Sequence, residues 1–433
     1  GFATALSPDA RTLAIGAPTD GAEGNPGAGR VYIFERAEGQ SGWVYSETVQ
    51  APAGIIGDNF GFDVVLTSDP EGRHTLVVGA PTANITIDPN SGVEYSNAGA
   101  VYVFTRDITM GSTFTFADRE HLIEVDEAQA DQMNDLAPFR ISALGRFGFS
   151  VDATGTWQGR DLTVIVGAPT QDLNFANECT YPNAGAAYLL YFVQQGPVSI
   201  PEEDFTLATY ILPDAGDNKR LETELGATPA FGADVALTGT IQVVQGVFSG
   251  SVAYLIAAPQ ARSGAGEVFF GLDGIFEPNA ESTRPYLAYL TRSVNGFSGP
   301  ELEANDYFGA GVDIVGAFEC IPSCNHPNRA ALVAVVGAKS RQVPNATGEG
   351  AVHAFGMFLT APSQGMNEAT WDYLRMDGVV RGDRGYYKEG EPGGGFGQDV
   401  RLLESLNSDV PFFHATSGGT SAVPVEVVLE REP

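Results

Sequence analysis

Oxygen-bearing side chains at alternating positions single out Asp88-Pro89-Asn90-Ser91-Gly92-Val93-Glu94. Hard cations such as Ca2+ take several oxygen ligands from alternate positions of one loop, so Asp88, Asn90 and Glu94 are candidate metal ligands. The same residues also read as an ordinary turn-rich loop. Just upstream, Asn84-Ile85-Thr86 is a glycosylation sequon, and Asn345-Ala346-Thr347 is a second. Cys320 and Cys324 lie close together in Glu319-Cys320-Ile321-Pro322-Ser323-Cys324-Asn325 and read as a local disulfide or as two free thiols. A zinc site would need a second close pair, and the remaining cysteine, Cys179, stands far off. The five histidines, His74, His121, His326, His353 and His414, show no metal-ligand spacing. No nucleophile elbow or phosphate-cradling glycine loop is present, and no carboxylate pair is placed together by spacing alone. These residues lead to the expectation that the chain is not an enzyme.

The elements that carry these residues repeat. Phe60-Gly61-Phe62-Asp63-Val64-Val65-Leu66, Leu76-Val77-Val78-Gly79-Ala80-Pro81 and Asn97-Ala98-Gly99-Ala100-Val101-Tyr102-Val103-Phe104 each read as a strand. The same three pieces recur in order along the chain. Phe-Gly opens repeats at Phe60, Phe147, Phe231, Phe308 and Phe396, and a further copy is implied at Gly1-Phe2. Gly-Ala-Pro stands in full at 16–18, 79–81 and 167–169, with variants at 257–259 and 337–339. Repeats therefore run approximately 1–59, 60–146, 147–230, 231–307, 308–395 and 396–433, the last incomplete, within one domain over 1–433. Fourth strands are expected around Trp43-Val44-Tyr45, Phe114-Thr115-Phe116 and Trp371-Asp372-Tyr373-Leu374, and the acidic stretch from Glu124 to Asp135 as a loop.

The middle piece is apolar on both faces, as a strand between neighbouring sheets must be. Pro ends it, having no amide hydrogen with which to extend a ladder. The glycine after each Phe leaves room for a close backbone approach, and the Phe fills space between sheets. The expected fold is all-β: a β-propeller of four-stranded antiparallel blades, six repeats visible, with six or seven blades in the intact protein.

The Phe-Gly and Gly-Ala-Pro pieces resemble FG-GAP repeats, the propeller repeats of integrin α-subunits and of many secreted proteins, over essentially the whole chain. The resemblance implies an extracellular recognition or scaffolding platform that binds through loops on one face. It also implies Ca2+ in an Asp-rich loop between the Phe-Gly and Gly-Ala-Pro strands. The loops at that place, Ser7 to Arg11, Ser68 to Arg73 and Thr154 to Asp161, depart from the pattern, so Ca2+ is a possible cofactor with degenerate family loops. The same departure argues against an integrin-like headpiece.

Charge narrows the partners. Lys and Arg number 23 against 54 Asp and Glu, a net charge of −31. Such a surface repels phosphate backbones and anionic lipid, so nucleic acid is excluded as a partner. No apolar run approaches the ~20 residues of a membrane span, so no membrane insertion is expected in this segment. With its sequons, the chain is expected to be secreted or on the cell surface, a window of a longer or processed protein and part of a larger assembly. The leading expectation is a binding or structural module for other extracellular proteins or glycans, in an adhesin, cell-surface protein or filament. The alternative is a carbohydrate-active propeller enzyme or lectin acting at the axial mouth.

Overall fold

The structure, a computed structural model, describes residues 1–21, 27–52, 58–88, 93–107, 112–120, 144–159, 161–175, 179–193, 205–211, 225–226, 228–244, 247–273, 286–290, 302–319, 329–339, 350–360, 378–381, 396–403, 412–417 and 425–428. The chain divides into two compact units, Gly1–Pro213 and Asp214–Pro433.

The first unit holds three four-stranded antiparallel sheets, each a meander. The first sheet contains Thr4–Leu6, Thr12–Ala17, Arg30–Glu35 and Val44–Val49; the second contains Asp63–Ser68, His74–Ala80, Ala100–Arg106 and Thr115–Glu120. The third contains Ser150–Thr154, Thr163–Ala168, Ala186–Val193 and Phe205–Ile211. The second unit has a sheet of Val235–Val244, Val247–Ala258, Glu267–Asp273 and Tyr286–Tyr289. Its next sheet contains Phe308–Glu319, Arg329–Ala338, Ala351–Thr360 and Gly378–Arg381. Phe396–Leu403, Phe412–Ser417 and Val425–Val428 form three strands of a further sheet. Successive four-stranded antiparallel meanders are the blades of a β-propeller, and the all-β class expected from the repeats is the class observed. No helix among the described residues is long and apolar enough to cross a membrane.

The second strands are buried along their whole length at His74–Ala80 and Thr163–Ala168. Between the first and second sheets the core joins Ala14, Val31 and Ile33 to Phe60, Leu76, Val78, Tyr102 and Phe104. Phe60 is fully buried and meets Tyr102 and Phe104 edge-on, at ring-centroid distances of 5.4 and 5.8 Å. Burying a side chain of this size contributes roughly 1.5–3 kcal/mol. In the second unit Phe308 fills the corresponding place, beside Val268, Phe270 and Phe355.

The two motifs meet in space. The Phe60 amide donates to Ala28 O at 3.1 Å and the Phe147 amide to Ala98 O at 2.8 Å, tying each Phe to the preceding repeat. The Gly61 amide donates to Gly79 O at 3.1 Å within its own repeat. A Cβ at Gly79 would lie 2.2 Å from Gly148 O, so only glycine admits the next repeat at this point.

Two details differ from expectation or were not foreseen. The fourth strand of the fifth sheet is Gly378–Arg381, paired with Ala351–Ala354, and not 371–374, which lie outside the described residues. The β-branched pair Val379-Val380 suits a pleated surface. Two small hairpins leave the ends of Gly-Ala-Pro strands: Ile85–Asp88 with Val93–Tyr95, and Leu173–Phe175 with Cys179–Tyr181. The stretch 124–135 lies outside the described residues.

Candidate functional site

In the second and third repeats the residue after the Phe-Gly glycine sits in a tight turn. A left-handed residue precedes the Phe, Asn59 at φ 54° and Arg146 at φ 59°. The Phe62 amide donates to Asn59 O at 3.0 Å and Gly79 O at 3.2 Å; the Phe149 amide donates to Arg146 O at 3.1 Å and Gly167 O at 3.2 Å. In the first repeat the Phe2 amide donates to Gly16 O at 2.8 Å. One hydrogen-bond pattern thus sets three phenylalanines at the same point of three successive sheets.

Their rings form an arc. Phe2 and Phe62 lie 4.6 Å apart between centroids, and Phe62 and Phe149 lie 4.8 Å apart, each pair tilted by 43°. Phe2 is 63% exposed, and Phe62 and Phe149 are half-buried. The second unit makes the same turn with alanine: the Ala233 amide donates to Ala230 O and Ala257 O, and the Ala310 amide to Tyr307 O. The turn therefore requires no aromatic ring, and the arc is additional to what folding needs.

Asp63, next in sequence to Phe62, holds two sheets together. Its Oδ1 accepts the Val64 amide at 2.9 Å and its Oδ2 accepts the Val151 amide of the third sheet at 2.8 Å. Polar groups stand at the same end. The Asp20 carboxyl is held below its ordinary range, chiefly by the Tyr32 hydroxyl that donates to it, with Arg30 adding attraction against the opposing effect of burial. Arg146 is exposed and Asn59 half-buried.

The hairpin 85–95 shares this end. Its base is pinned by Leu144 and Arg146, whose amides donate to Ser96 O and Asn97 O at 2.9 and 3.3 Å. Asn84 Oδ1 accepts the Asn97 amide at 3.0 Å, so this sequon asparagine also closes the hairpin base. Asp88 pairs with Val93 and Thr86 with Glu94 across the hairpin, with a bulge between the two pairs. Asn90, Asn345, Cys320 and Cys324 lie outside the described residues; Cys179 opens a hairpin strand opposite Phe175.

The loops where the family resemblance implies Ca2+ are closed on themselves. Asp69 accepts the Arg73 amide at 2.8 Å through Oδ1 and Arg73 Nε at 2.6 Å through Oδ2. Asp9 Oδ1 accepts the Ser7 hydroxyl at 2.5 Å and the Arg11 amide at 3.1 Å, and Asp161 Oδ1 accepts the Thr156 amide at 2.9 Å. A guanidinium and backbone amides thus take the carboxylate oxygens that a cation would need, and these loops do not fit Ca2+. Among the described residues no group of three or more His, Cys, Asp or Glu is placed to hold a metal.

Sequence reasoning passed over the arc because Phe62 and Phe149 read as parts of strands. The signal was the contrast between Phe2, Phe62 and Phe149 and their counterparts Ala233, Ala310 and Gln398.

Neither a protein-family model nor a curated protein sequence matches the chain. Among solved structures, it is similar to an α-L-arabinanase mutant from Cellvibrio cellulosa at 12% identity, covering 84% of this chain and 89% of that one, with a TM-score of 0.32. It is similar to the periplasmic gluconolactonase of Pseudomonas aeruginosa at 14% identity, 83% and 88% coverage and a TM-score of 0.28. A levansucrase mutant from Bacillus subtilis follows at 8% identity, 86% and 87% coverage and a TM-score of 0.30. These three proteins are enzymes by description, and the expectation that this chain is not an enzyme is corrected accordingly. At such identities the likeness concerns fold, and the activities named are those of the other proteins.

Proposed function

We propose that the chain is a β-propeller that takes carbohydrate, as a lectin or as a carbohydrate-active protein, on the arc of Phe2, Phe62 and Phe149. The observation that carries this reading is the arc itself: three adjoining rings, one exposed and two half-buried, at a turn that the second unit builds with alanine. The apolar face of a sugar ring stacks on an aromatic face while its hydroxyls reach polar groups at the margin. Asp20, Arg30, Asn59 and Arg146, at this end, offer both donors and acceptors. A net charge of −31 favours neutral over acidic glycans. The reading also keeps the FG-GAP kinship, supported by the Phe-Gly and Gly-Ala-Pro motifs, and an extracellular setting, supported by the sequons.

The test is a glycan array followed by calorimetry on the best binder, with a hydrolysis assay on the same glycans. Binding that falls at least tenfold in Phe62→Ala is expected, about 1.4 kcal/mol for the lost ring. Absence of binding and turnover across the array, or binding indifferent to Phe62→Ala, would overturn the reading.

A further inference from the structure

At the opposite end of the first two sheets, two cross-strand pairs face each other. Thr12 is opposite Glu35 in the first sheet and His74 is opposite Arg106 in the second. Arg106 is 5% exposed and spans the seam: Nη1 donates to Glu35 Oε1 at 2.6 Å and Nη2 to Thr12 Oγ1 at 2.8 Å. Its guanidinium also lies over the Phe114 ring, 4.7 Å from the centroid. His74 is 8% exposed, with Nδ1 3.5 Å from Arg106 Nη2. An Nδ1 facing a permanent donor must present its lone pair, so the hydrogen resides on Nε2, a buried atom with no hydrogen-bond partner.

We propose that this seam is an acid-sensitive latch, in which a proton taken up by His74 against Arg106 releases the first sheet from the second. The added proton would turn Nδ1 into a donor aimed at a donor and place a second positive charge beside a buried guanidinium. Burial first, and Arg106 second, already hold His74 below its ordinary range. Asp9 and Glu35 from the first sheet's side, and Asp69 from the turn before His74, pull the other way. Asp69 is paired with Arg73, and Glu35 with Arg106, which limits that pull. Glu47, on the fourth strand of the first sheet, accepts the Phe114 amide at 3.0 Å, and burial raises its carboxyl.

The next seam supplies a contrast. Between the second and third sheets the same end is tied by the Thr67 hydroxyl to Gly155 O at 2.6 Å and by the Trp157 amide to Thr75 Oγ1 at 2.9 Å. None of these groups titrates. At the other end Asp63 clasps this seam, whereas the first repeat has Ala3 in the corresponding position.

The sign follows from linkage. A histidine depressed in the folded state leaves the unfolded or opened chain with more bound protons below about pH 6.5. The latch is therefore complete above that pH and weakens as pH falls toward the folded value, by at most about tenfold per pH unit for one proton.

Hydrogen exchange on the full chain, corrected for intrinsic rates, tests this at pH 7.5 and 5.5. Protection of Arg30–Glu35 and His74–Ala80 is expected to fall by up to about tenfold over this range, and that of Thr163–Ala168 to hold. His74→Gln should abolish the difference. Equal loss at both seams, or an unchanged response in His74→Gln, would overturn the latch. Imidazole NMR of the unmodified chain is a second reading: an Nε2–H tautomer with a midpoint below about 6.5 is expected, and a midpoint at or above it refutes the proposal. One consequence rests on the carbohydrate reading, since Phe2 and Phe62 belong to the two sheets: acid should weaken glycan binding in the unmodified chain but not in His74→Gln. If the exchange results hold and no glycan binds at any pH, the carbohydrate reading alone fails.

Discussion

Asp63 Oδ2 accepts the Val151 amide at 2.8 Å, a bond from the first strand of one sheet to the first strand of the next. Asp234 repeats the arrangement in the second unit, where its Oδ2 accepts the Val312 amide, also at 2.8 Å. Each aspartate also accepts the amide that follows it in sequence. The carboxylate is well suited to this, being short, acceptor-only and able to serve two amides at once. The clasp also fixes the spacing of Phe62 and Phe149, which flank it in sequence on the two strands.

Asp63→Ala should therefore lower stability by about 2 kcal/mol, the typical worth of hydrogen bonds to a charged acceptor at a half-buried site. Asp63→Asn keeps one acceptor oxygen and should cost about half as much. Urea unfolding with an unchanged m-value is the measurement, and equal losses in the two variants would argue against the clasp.

Gly99 has φ of +94°, and a Cβ there would stand 2.0 Å from Phe147 O. Gly99→Ala should cost about 3 kcal/mol, combining left-handed strain with displacement of the next repeat. Gly39, at φ +74° with nothing within 4 Å of its Cβ position, is the control. Gly39→Ala should cost only about 1 kcal/mol. Thermal melts of the two variants side by side separate the contributions of backbone angle and close approach.

Removing Phe2 or Phe149 should weaken glycan affinity as Phe62→Ala does, with the middle ring, which contacts both others, having the largest effect. Stability should barely move for Phe2→Ala, whose ring is 63% exposed. A loss of folding in Phe2→Ala, read by circular dichroism, would assign the arc to the fold.

Arg106→Leu leaves Glu35 facing a buried apolar side chain and should cost about 2 kcal/mol, discounted because Glu35 is 32% exposed. Adding Glu35→Leu should recover much of that loss, since breaking a buried pair is more costly than replacing it whole. A double-mutant cycle in guanidinium chloride gives the coupling, and strictly additive losses would show that the pair contributes nothing of its own.

The blades were legible in the sequence because what defines them is local. Alternating or continuous apolar runs state which face of a strand is buried, Pro states where it stops, and Phe-Gly with Gly-Ala-Pro states where backbones close up. Such signals act within a few residues, so Leu76–Ala80 could be recognised as a buried strand without any knowledge of its neighbours. The chain by itself thus determined an all-β repeat of four-stranded blades and their order.

Which side chains of different blades meet was decided only in three dimensions. Phe2, Phe62 and Phe149 come together because their three amides bond to Gly16, Gly79 and Gly167 alike, a coincidence invisible while each Phe is read inside its own repeat. Thr12, Glu35, His74 and Arg106 meet because two rungs of adjacent sheets fall at the same height. The loops expected for calcium are filled by Arg73 and by backbone amides, which the count of carboxylates alone did not determine. Register and sheet packing set these distances, and neither is contained in the spacing of residues along a single strand.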